Sequence, residues 1–166
     1  TDGSSKEFST LKKIAKKRKL KVLDSTKEDL LKNFIPKDFI NTFQSKNLSM
    51  AILAAQVSKL NKIKIKNKIK KIKSVNGRLE LVRKFPNNIK IYIDYAHTPD
   101  ALREALKSLK NIKKNKISIV FGCGGERDFK KRPLMAKIVK SMCEKIYVTD
   151  DNPRNENPKK IRNQIT

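Results

Sequence analysis

Three short segments of this 166-residue chain carry polar side chains suited to ligand binding. The first, residues 94–100, places the carboxylate of Asp94 three residues before His97. A carboxylate can accept hydrogen bonds from ribose hydroxyls, and an imidazole near a helix start can donate to a phosphate or a base. A single histidine beside a helix start more often has a structural role, so this segment alone identifies no ligand.

The second segment, residues 122–132, has glycine at three of its first four positions. It is not the dinucleotide-binding fingerprint, because Arg127 stands at the sixth position, where that motif has glycine. It is not a P-loop either, since no Gly-Lys-Ser/Thr follows. The alternative is a turn of small residues that lets the backbone approach a ligand, while Arg127 supplies a forked donor for a carboxylate.

The third segment is Asp151-Asn152-Pro153-Arg154, which combines a rigid turn with an amide and a guanidinium. By itself it is an ordinary Asx/Pro turn. Together with Arg127 it makes a cluster suited to a zwitterionic amino acid.

Each of these segments follows a predicted strand and precedes a predicted helix. Strands are predicted over residues 89–94, 117–121 and 146–149, and helices from Pro99, from about Pro133 to Cys143, and from Pro158. Thr98 is expected to cap the first of these helices. A threefold strand, loop and helix pattern predicts an open α/β sheet of parallel strands with right-handed crossovers. The three segments should then line one crevice at the carboxyl edge of the sheet.

The first part of the chain has a weaker pattern. Residues 11–18 fit a basic amphipathic helix or a solvated helix face, and neither indicates a function. Apolar spacing between Asn47 and Leu60 predicts a helix packed on most sides, with Ser45 or Asn47 as N-cap. Residues 63–72 fit a strand and a helix equally well.

Composition first suggests nucleic acid, because the formal net charge is +25. Of the basic residues, however, 33 are lysine and only 8 are arginine, and nucleic-acid surfaces would be expected to use more arginine. The charge is also spread evenly along the chain. We therefore expect no nucleic-acid partner.

Metal, disulfide and membrane chemistry find little support in the sequence. Two cysteines, Cys123 and Cys143, and one histidine make neither a zinc site nor a disulfide framework. No apolar run approaches the roughly 18 residues of a membrane span, and the first residues carry no signal region. A cytoplasmic protein without a membrane partner is the expectation.

Four ordered motifs closely resemble the Mur ligases. The motifs are Val75-Asn76-Gly77-Arg78-Leu79-Glu80; the segment from Asp94 to Asp100; Val120-Phe121-Gly122-Cys123-Gly124-Gly125-Glu126-Arg127-Asp128 with Lys131-Arg132-Pro133-Leu134-Met135; and Thr149-Asp150-Asp151-Asn152-Pro153-Arg154 with Glu156 and Pro158. Residues 43–47 are similar to a degraded form of a further family element, FNxxN.

The resemblance implies a bacterial ATP-dependent acid–amino-acid ligase that forms ADP, works through an acyl phosphate and uses Mg²⁺. The Asp-Asn-Pro-Arg motif accompanies meso-diaminopimelate as the amino acid, added to UDP-N-acetylmuramoyl-L-Ala-D-Glu in peptidoglycan precursor synthesis. The implied ATP-binding residues are Asn47, Arg78, Asp94 and His97, and the implied diaminopimelate-binding residues are Arg127, Asp151, Asn152, Pro153 and Arg154. No catalytic or metal-binding residue is implied within this chain.

The resemblance also implies a division into domains. Residues 1–76 are expected to be the tail of the central ATP-binding domain, and residues 77–166 an incomplete C-terminal domain with a Rossmann-like α/β sheet. The family's phosphate loop, modified lysine, magnesium carboxylates and UDP-sugar domain would precede this chain, so we expect an internal fragment, inactive alone, of a monomeric enzyme. The alternatives are a lysine-adding or other Mur ligase, a non-catalytic nucleotide or amino-acid binding module and, third, a basic nucleic-acid binder.

Overall fold

The computed structural model describes residues 3–26, 43–72, 75–112 and 116–165. The chain divides into two compact units, residues 1–73 and residues 74–166. The boundary lies close to the expected one between residues 76 and 77, and the identity of the first unit stays a prediction.

The first unit contains three helices, α1 (Phe8–Lys17), α2 (Phe43–Val57) and α3 (Lys62–Ile69). A small core forms where Ile52 of α2 packs against Ile65 and Ile69 of α3. The segment that fitted both a strand and a helix is therefore helical, because Ile65 and Ile69, four residues apart, share the buried face. Helix α1 includes residues 11–17, most of the segment that the sequence analysis interpreted as a basic amphipathic helix or a solvated helix face.

Caps in the first unit differ from the prediction. Helix α2 already includes Ser45 and Asn47, so the prediction that either residue caps its start is wrong. The Ser45 carbonyl instead accepts a hydrogen bond from the Ser49 hydroxyl at 2.7 Å, one turn further along. Helix α3 has a side-chain cap, since Asn61 accepts from the backbone N–H groups of residues 63 and 64.

The second unit contains four strands and three helices. In chain order they are β1 (Glu80–Lys84), β2 (Lys90–Ile93), α4 (Pro99–Ile112), β3 (Ser118–Phe121), α5 (Lys131–Met142), β4 (Lys145–Val148) and α6 (Pro158–Asn163). The three predicted strands and the three predicted helices are thus confirmed, and the α/β class with them. Thr98 caps α4, since its hydroxyl accepts from the Ala101 N–H at 3.3 Å.

Strand pairing differs from the expected row of three parallel strands. Strands β3 and β4 are parallel, with Ser118 opposite Lys145 and Phe121 opposite Val148. Strand β2 instead pairs antiparallel with β1, which the sequence analysis did not predict. A tight turn at residues 85–88 makes this hairpin, and Asn88 adopts a φ of 64° there. Strand periodicity reports which face is buried and not which strand is the neighbour, so the predicted pairing of β2 was wrong.

A groove of about 870 Å³ lies between β2 and β3, and residues of α4 also line it. Strand β1 occupies one edge of β2, and β4 occupies one edge of β3. The second edge of each has no strand partner within the described part of the chain. The four strands therefore form two separate two-stranded sheets.

The core of the second unit is built mainly from its helices. Its buried apolar residues are Leu102 and Leu106 of α4; Met135, Ile138 and Val139 of α5; Ile161 and Ile165 in and after α6; and Cys123. Burying each large aliphatic side chain contributes about 1.5–3 kcal/mol relative to an exposed one. Since Cys123 is the second residue after β3, its burial in this core fixes the start of the loop that follows that strand.

Candidate functional site

Two loops leave the carboxyl ends of the parallel strands β3 and β4 and contact each other. We call them the glycine loop (residues 122–130) and the DNPR loop (residues 150–156). The Gly125 N–H donates to the Asn152 carbonyl at 2.9 Å. In return, Nη1 of Arg154 donates to the Gly125 carbonyl at 2.6 Å. The predicted amino-acid-binding segments are therefore neighbours.

The glycines of the glycine loop permit this contact. A Cβ atom on Gly125 would lie 1.8 Å from the Pro153 carbonyl oxygen, and one on Gly122 would lie 2.5 Å from that of Thr149. Neither distance is compatible with a side chain. The small residues were expected to let the backbone approach a ligand, whereas in this structure they let it approach the DNPR loop.

Both loops hold a non-glycine residue in the left-handed region, Glu126 with φ of 51° and Arg154 with φ of 49°. Such a conformation costs roughly 1–2 kcal/mol for an L-residue. Several hydrogen bonds offset this cost. The Glu126 N–H donates to Glu156 Oε1 at 2.5 Å, and Nδ2 of Asn155 donates to Glu126 Oε1 at 2.7 Å.

A buried arginine lies beneath these loops. The Arg132 side chain is 1% exposed and forms a bidentate ion pair with Glu156, with both nitrogen–oxygen distances 2.9 Å. The hydrogen bonds from Arg132 and from the Glu126 N–H lower the pKa of Glu156 to about 2. The pKa of the Arg132 guanidinium is raised by the same pair.

Sequence reasoning missed Arg132 and Glu156 as part of the site. Arg132 ends a run of basic residues that resembles a solvated surface. One signal was available: Arg132, Met135 and Val139 recur at helical spacing, and all three are buried. An arginine on the apolar stripe of a helix indicates a buried partner, because an unpaired charge is costly to bury.

A second cluster surrounds Tyr95, at the end of β2. The Arg78 guanidinium lies 5.4 Å from the centre of the Tyr95 ring, and the His97 ring meets that ring edge-on at 6.1 Å. Asp94 accepts the N–H groups of Leu79 and Ala96, both at 2.8 Å, one on each carboxylate oxygen. Each of those oxygens keeps a lone pair that a ligand hydroxyl can use.

The structure thus brings three of the four predicted ATP-binding residues, Arg78, Asp94 and His97, to one place. Nζ of Lys131, at the start of α5, donates to the His97 carbonyl at 2.8 Å and links this cluster to the end of the glycine loop. The fourth residue, Asn47, lies exposed on α2 in the first unit. Its role stays a prediction.

The five predicted amino-acid-binding residues lie in the two joined loops. Arg127 is exposed directly after Glu126. Asp151 and Asn152 are exposed, and Pro153 is half-buried against Gly125. The Arg154 N–H donates to the Asn152 side chain at 3.1 Å, which makes the predicted Asx turn. Their binding roles stay predictions.

The described residues also bear on metal clusters, thiol reactivity and membrane-spanning helices. Within residues 3–26, 43–72, 75–112 and 116–165, no three histidine, cysteine or carboxylate side chains cluster closely enough to hold a metal ion. Burial raises the pKa of the Cys123 and Cys143 thiols, which disfavours reactive thiolates. None of the helices in the described ranges is long and apolar enough to cross a bilayer.

Comparison with known proteins gives consistent matches. A family model described as the glutamate ligase domain of Mur ligases matches residues 77–166. The UDP-N-acetylmuramoyl-L-alanyl-D-glutamate–2,6-diaminopimelate ligase of Rickettsia bellii is 50% identical over 128 residues, which cover 76% of this chain and 26% of the relative. The enzyme of the same name from Chelativorans is 34% identical over 165 residues, which cover 99% of this chain and 34% of the relative.

Solved structures match the same part of the fold. A structure of a ligase with that name aligns with a TM-score of 0.50 at 36% identity, over 74% of this chain and 25% of the other. The UDP-N-acetylmuramate-alanine ligase of Thermotoga maritima aligns with a TM-score of 0.57 over 76% of this chain and 27% of the other, and at 22% identity it supports the fold alone. The chain spans about a quarter to a third of the length of the sequence relatives named above.

Proposed function

Since the chain belongs to the Mur ligase family, we propose that it is part of a ligase that adds meso-diaminopimelate to UDP-N-acetylmuramoyl-L-Ala-D-Glu during peptidoglycan precursor synthesis. The printed names of the relatives support this substrate pair. The reaction is ATP-dependent. A substrate carboxylate takes the γ-phosphoryl group, ADP leaves, and the amine of the amino acid then displaces phosphate from the acyl phosphate to form the amide.

One observation carries the proposal: the glycine loop and the DNPR loop are hydrogen-bonded together at the carboxyl edge of β3 and β4. This edge is where α/β sheets bind ligands. Arg154 uses one guanidinium nitrogen on the Gly125 carbonyl, and a guanidinium has five N–H donors. Its other donors suit the second carboxylate of diaminopimelate, with Arg127, Asp151, Asn152 and Pro153 completing the site. Lysine lacks that second carboxylate, so the arrangement favours diaminopimelate.

The cluster around Tyr95 suits the nucleotide. Asp94 has carboxylate oxygens that suit a ribose hydroxyl, and Arg78 and His97 flank an exposed aromatic ring. Asn47 is proposed to contact the adenine. Magnesium, when bound, neutralises the phosphates of ATP.

The domain division, cellular location and oligomeric state belong to the same proposal. Residues 1–76 are the tail of its central ATP-binding domain, and residues 77–166 are most of its C-terminal domain. We propose that the whole enzyme is cytoplasmic and monomeric.

An ATP-dependent assay on the parent enzyme tests the function. The substrates are the UDP-muramoyl dipeptide with either diaminopimelate or lysine. We expect turnover with diaminopimelate. In Arg154→Asn, kcat/KM for diaminopimelate should fall at least roughly 100-fold, because a guanidinium–carboxylate contact is lost. Asparagine is chosen because it tolerates the left-handed backbone of position 154.

The matched control is Arg103→Ala, which removes an exposed arginine of α4 that pairs with Asp100. Its activity should stay within about twofold, since exposed pairs contribute little. Turnover with lysine alone would overturn the substrate. Turnover with neither amino acid would favour the non-catalytic binding module.

A further inference from the structure

We propose that Arg132 and Glu156 are positioning residues, whose buried pair clamps the DNPR loop to the glycine loop and thereby holds the groups that bind the amino acid. The identity of that amino acid rests on the proposed function. The clamp itself depends only on the hydrogen bonds that Arg132 makes to Glu156 and to the Gly124 carbonyl.

Arg132 reaches three separate parts of the second unit. Its Nη1 donates to Glu156 Oε2 at 2.9 Å and to Gln164 Oε1 at 2.5 Å. Its Nη2 donates to Glu156 Oε1 at 2.9 Å and to the Gly124 carbonyl at 3.1 Å. Four of the five guanidinium N–H groups are therefore used, and the buried Nε makes no hydrogen bond to the residues that the structure describes. A lysine ammonium has only three donors and no fork, so it cannot replace this arrangement.

Glu156 connects Arg132 to the backbone of the glycine loop. Its Oε1 accepts from Arg132 and also from the Glu126 N–H. The Glu126 side chain in turn accepts from Asn155. Glu126 precedes Arg127, and Asn155 follows Arg154, so the clamp holds the sequence neighbours of both arginines proposed to bind the amino acid.

The burial of Arg132 excludes direct substrate contact by this residue, because its side chain is 1% exposed. Its charged hydrogen bonds go to the two loops and to Gln164 rather than into the apolar core of α4, α5 and α6. Losing them should therefore loosen the loops more than it weakens helix packing. The expected defect is in binding of the amino acid and not of ATP.

Two measurements on Glu156→Gln test this. Glutamine keeps the shape of glutamate but has one acceptor oxygen instead of two, so its NH₂ group faces an Arg132 donor and the bidentate, charge-assisted pair is lost. In the 166-residue chain, amide hydrogen exchange at Gly125 and Glu126 should become at least about tenfold faster. The amides of Leu79 and Ala96, which bond Asp94, serve as the internal reference and should not change.

In the parent ligase, the KM for diaminopimelate should rise at least about tenfold, with the KM for ATP within about twofold. The matched control is Glu144→Gln, which makes the same change in an exposed ion pair with Lys116, outside both loops. It should leave both the exchange rates and the KM values within about twofold.

Each outcome decides a separate claim. Unchanged exchange in Glu156→Gln contradicts the clamp, and faster exchange with an unchanged KM for diaminopimelate contradicts its positioning role. A wild-type parent that does not use diaminopimelate contradicts the proposed function instead, and the exchange rates alone then decide the clamp.

A second variant covers the case in which Glu156→Gln fails to fold. Arg132→Met combined with Glu156→Met leaves no unpaired buried charge, and such apolar replacements commonly preserve folding. The double variant should fold and show the same rapid exchange at Gly125 and Glu126. Wild-type exchange there would overturn the proposal.

Discussion

Charged side chains near the loops of this chain mostly bind the backbone or each other. Asp94, expected from the sequence to meet a ribose, uses both carboxylate oxygens on the N–H groups of Leu79 and Ala96. Lys131, one of several lysines in a basic run, donates to the carbonyl of His97. A side chain that first shapes a loop can also contact the ligand, since an oxygen that accepts one hydrogen bond can accept a second.

The lowered pKa of Glu156 predicts how the unfolding free energy depends on pH. The pKa of this carboxylate falls from an ordinary value near 4.5 to about 2 on folding. A carboxylate with a lowered pKa stabilises the fold above the unfolded pKa, and loses that contribution as pH falls through the folded pKa. The difference in unfolding free energy between wild type and Glu156→Gln should thus be constant above about pH 5 and shrink towards pH 2.

Urea unfolding at a series of pH values measures this difference. The control is Glu144→Gln, which removes the partner of Lys116, a lysine 82% exposed, and which should have a much smaller effect at neutral pH. A difference between wild type and Glu156→Gln that persists undiminished at pH 2 would contradict the assignment.

Sequence reasoning found the residues that belong to recognisable motifs and missed the residue that ties those motifs together. Arg127, Asn152 and Arg154 were predicted because their types suit a carboxylate ligand. Arg132 was not, because its role depends on Glu156 and Gln164, 24 and 32 residues further along. Local helical spacing can indicate that Arg132 is buried and needs a partner, but it does not identify the distant residues that supply it.

At the scale of elements, local pattern located β2, β3 and β4 but did not determine their neighbours. Strand β1 was missed because its sequence, Glu80–Lys84, has only two apolar residues, both more than 45% exposed. Its pairing depends on the turn at residues 85–88, where Asn88 takes the left-handed conformation. Because β1 was not predicted, β2 was expected to have a parallel neighbour, whereas it pairs antiparallel with β1.

Helix α6 depends on a side-chain cap at its start. This six-residue helix starts at an Asn157 cap that accepts from Lys159 and Lys160, and the helix places Gln164 against Arg132. Asn157→Ala should destabilise the second unit by about 1 kcal/mol, because two backbone N–H groups lose their acceptor.

Tyrosine fluorescence during urea unfolding measures the effect of Asn157→Ala. All three tyrosines, Tyr92, Tyr95 and Tyr147, lie in the second unit, and the chain has no tryptophan. The matched control, Asn61→Ala, removes the equivalent cap of α3 in the first unit and should leave this signal unchanged. An equal shift in both variants would contradict the local origin of the effect.

At the scale of the whole molecule, the two described cores are separate. One, around Ile52, lies within residues 1–73, and the other, around Val139, lies within residues 74–166. Each unit has buried apolar residues of its own, which is the property expected of an independently folding part.

Residues 74–166 should therefore fold without the rest of the chain. Their thermal midpoint, followed by tyrosine circular dichroism, should lie within about 4 °C of that of the whole chain, which corresponds to less than about 1 kcal/mol. A shorter piece that starts at residue 86 lacks β1 and should melt at a lower temperature. Loss of a cooperative transition in residues 74–166 would show that the second unit depends on the first.

The groove between β2 and β3 has a consequence for the behaviour of the chain in solution. Unpaired strand edges present rows of backbone donors and acceptors that template pairing with another chain, and proteins commonly protect such edges with lysine or proline. Strand β2 has a lysine only at its first residue, Lys90, and β3 has none. The edges of β2 and β3 that have no strand partner among the described residues are therefore expected to favour intermolecular β-pairing of the isolated chain, increasingly so at higher protein concentration.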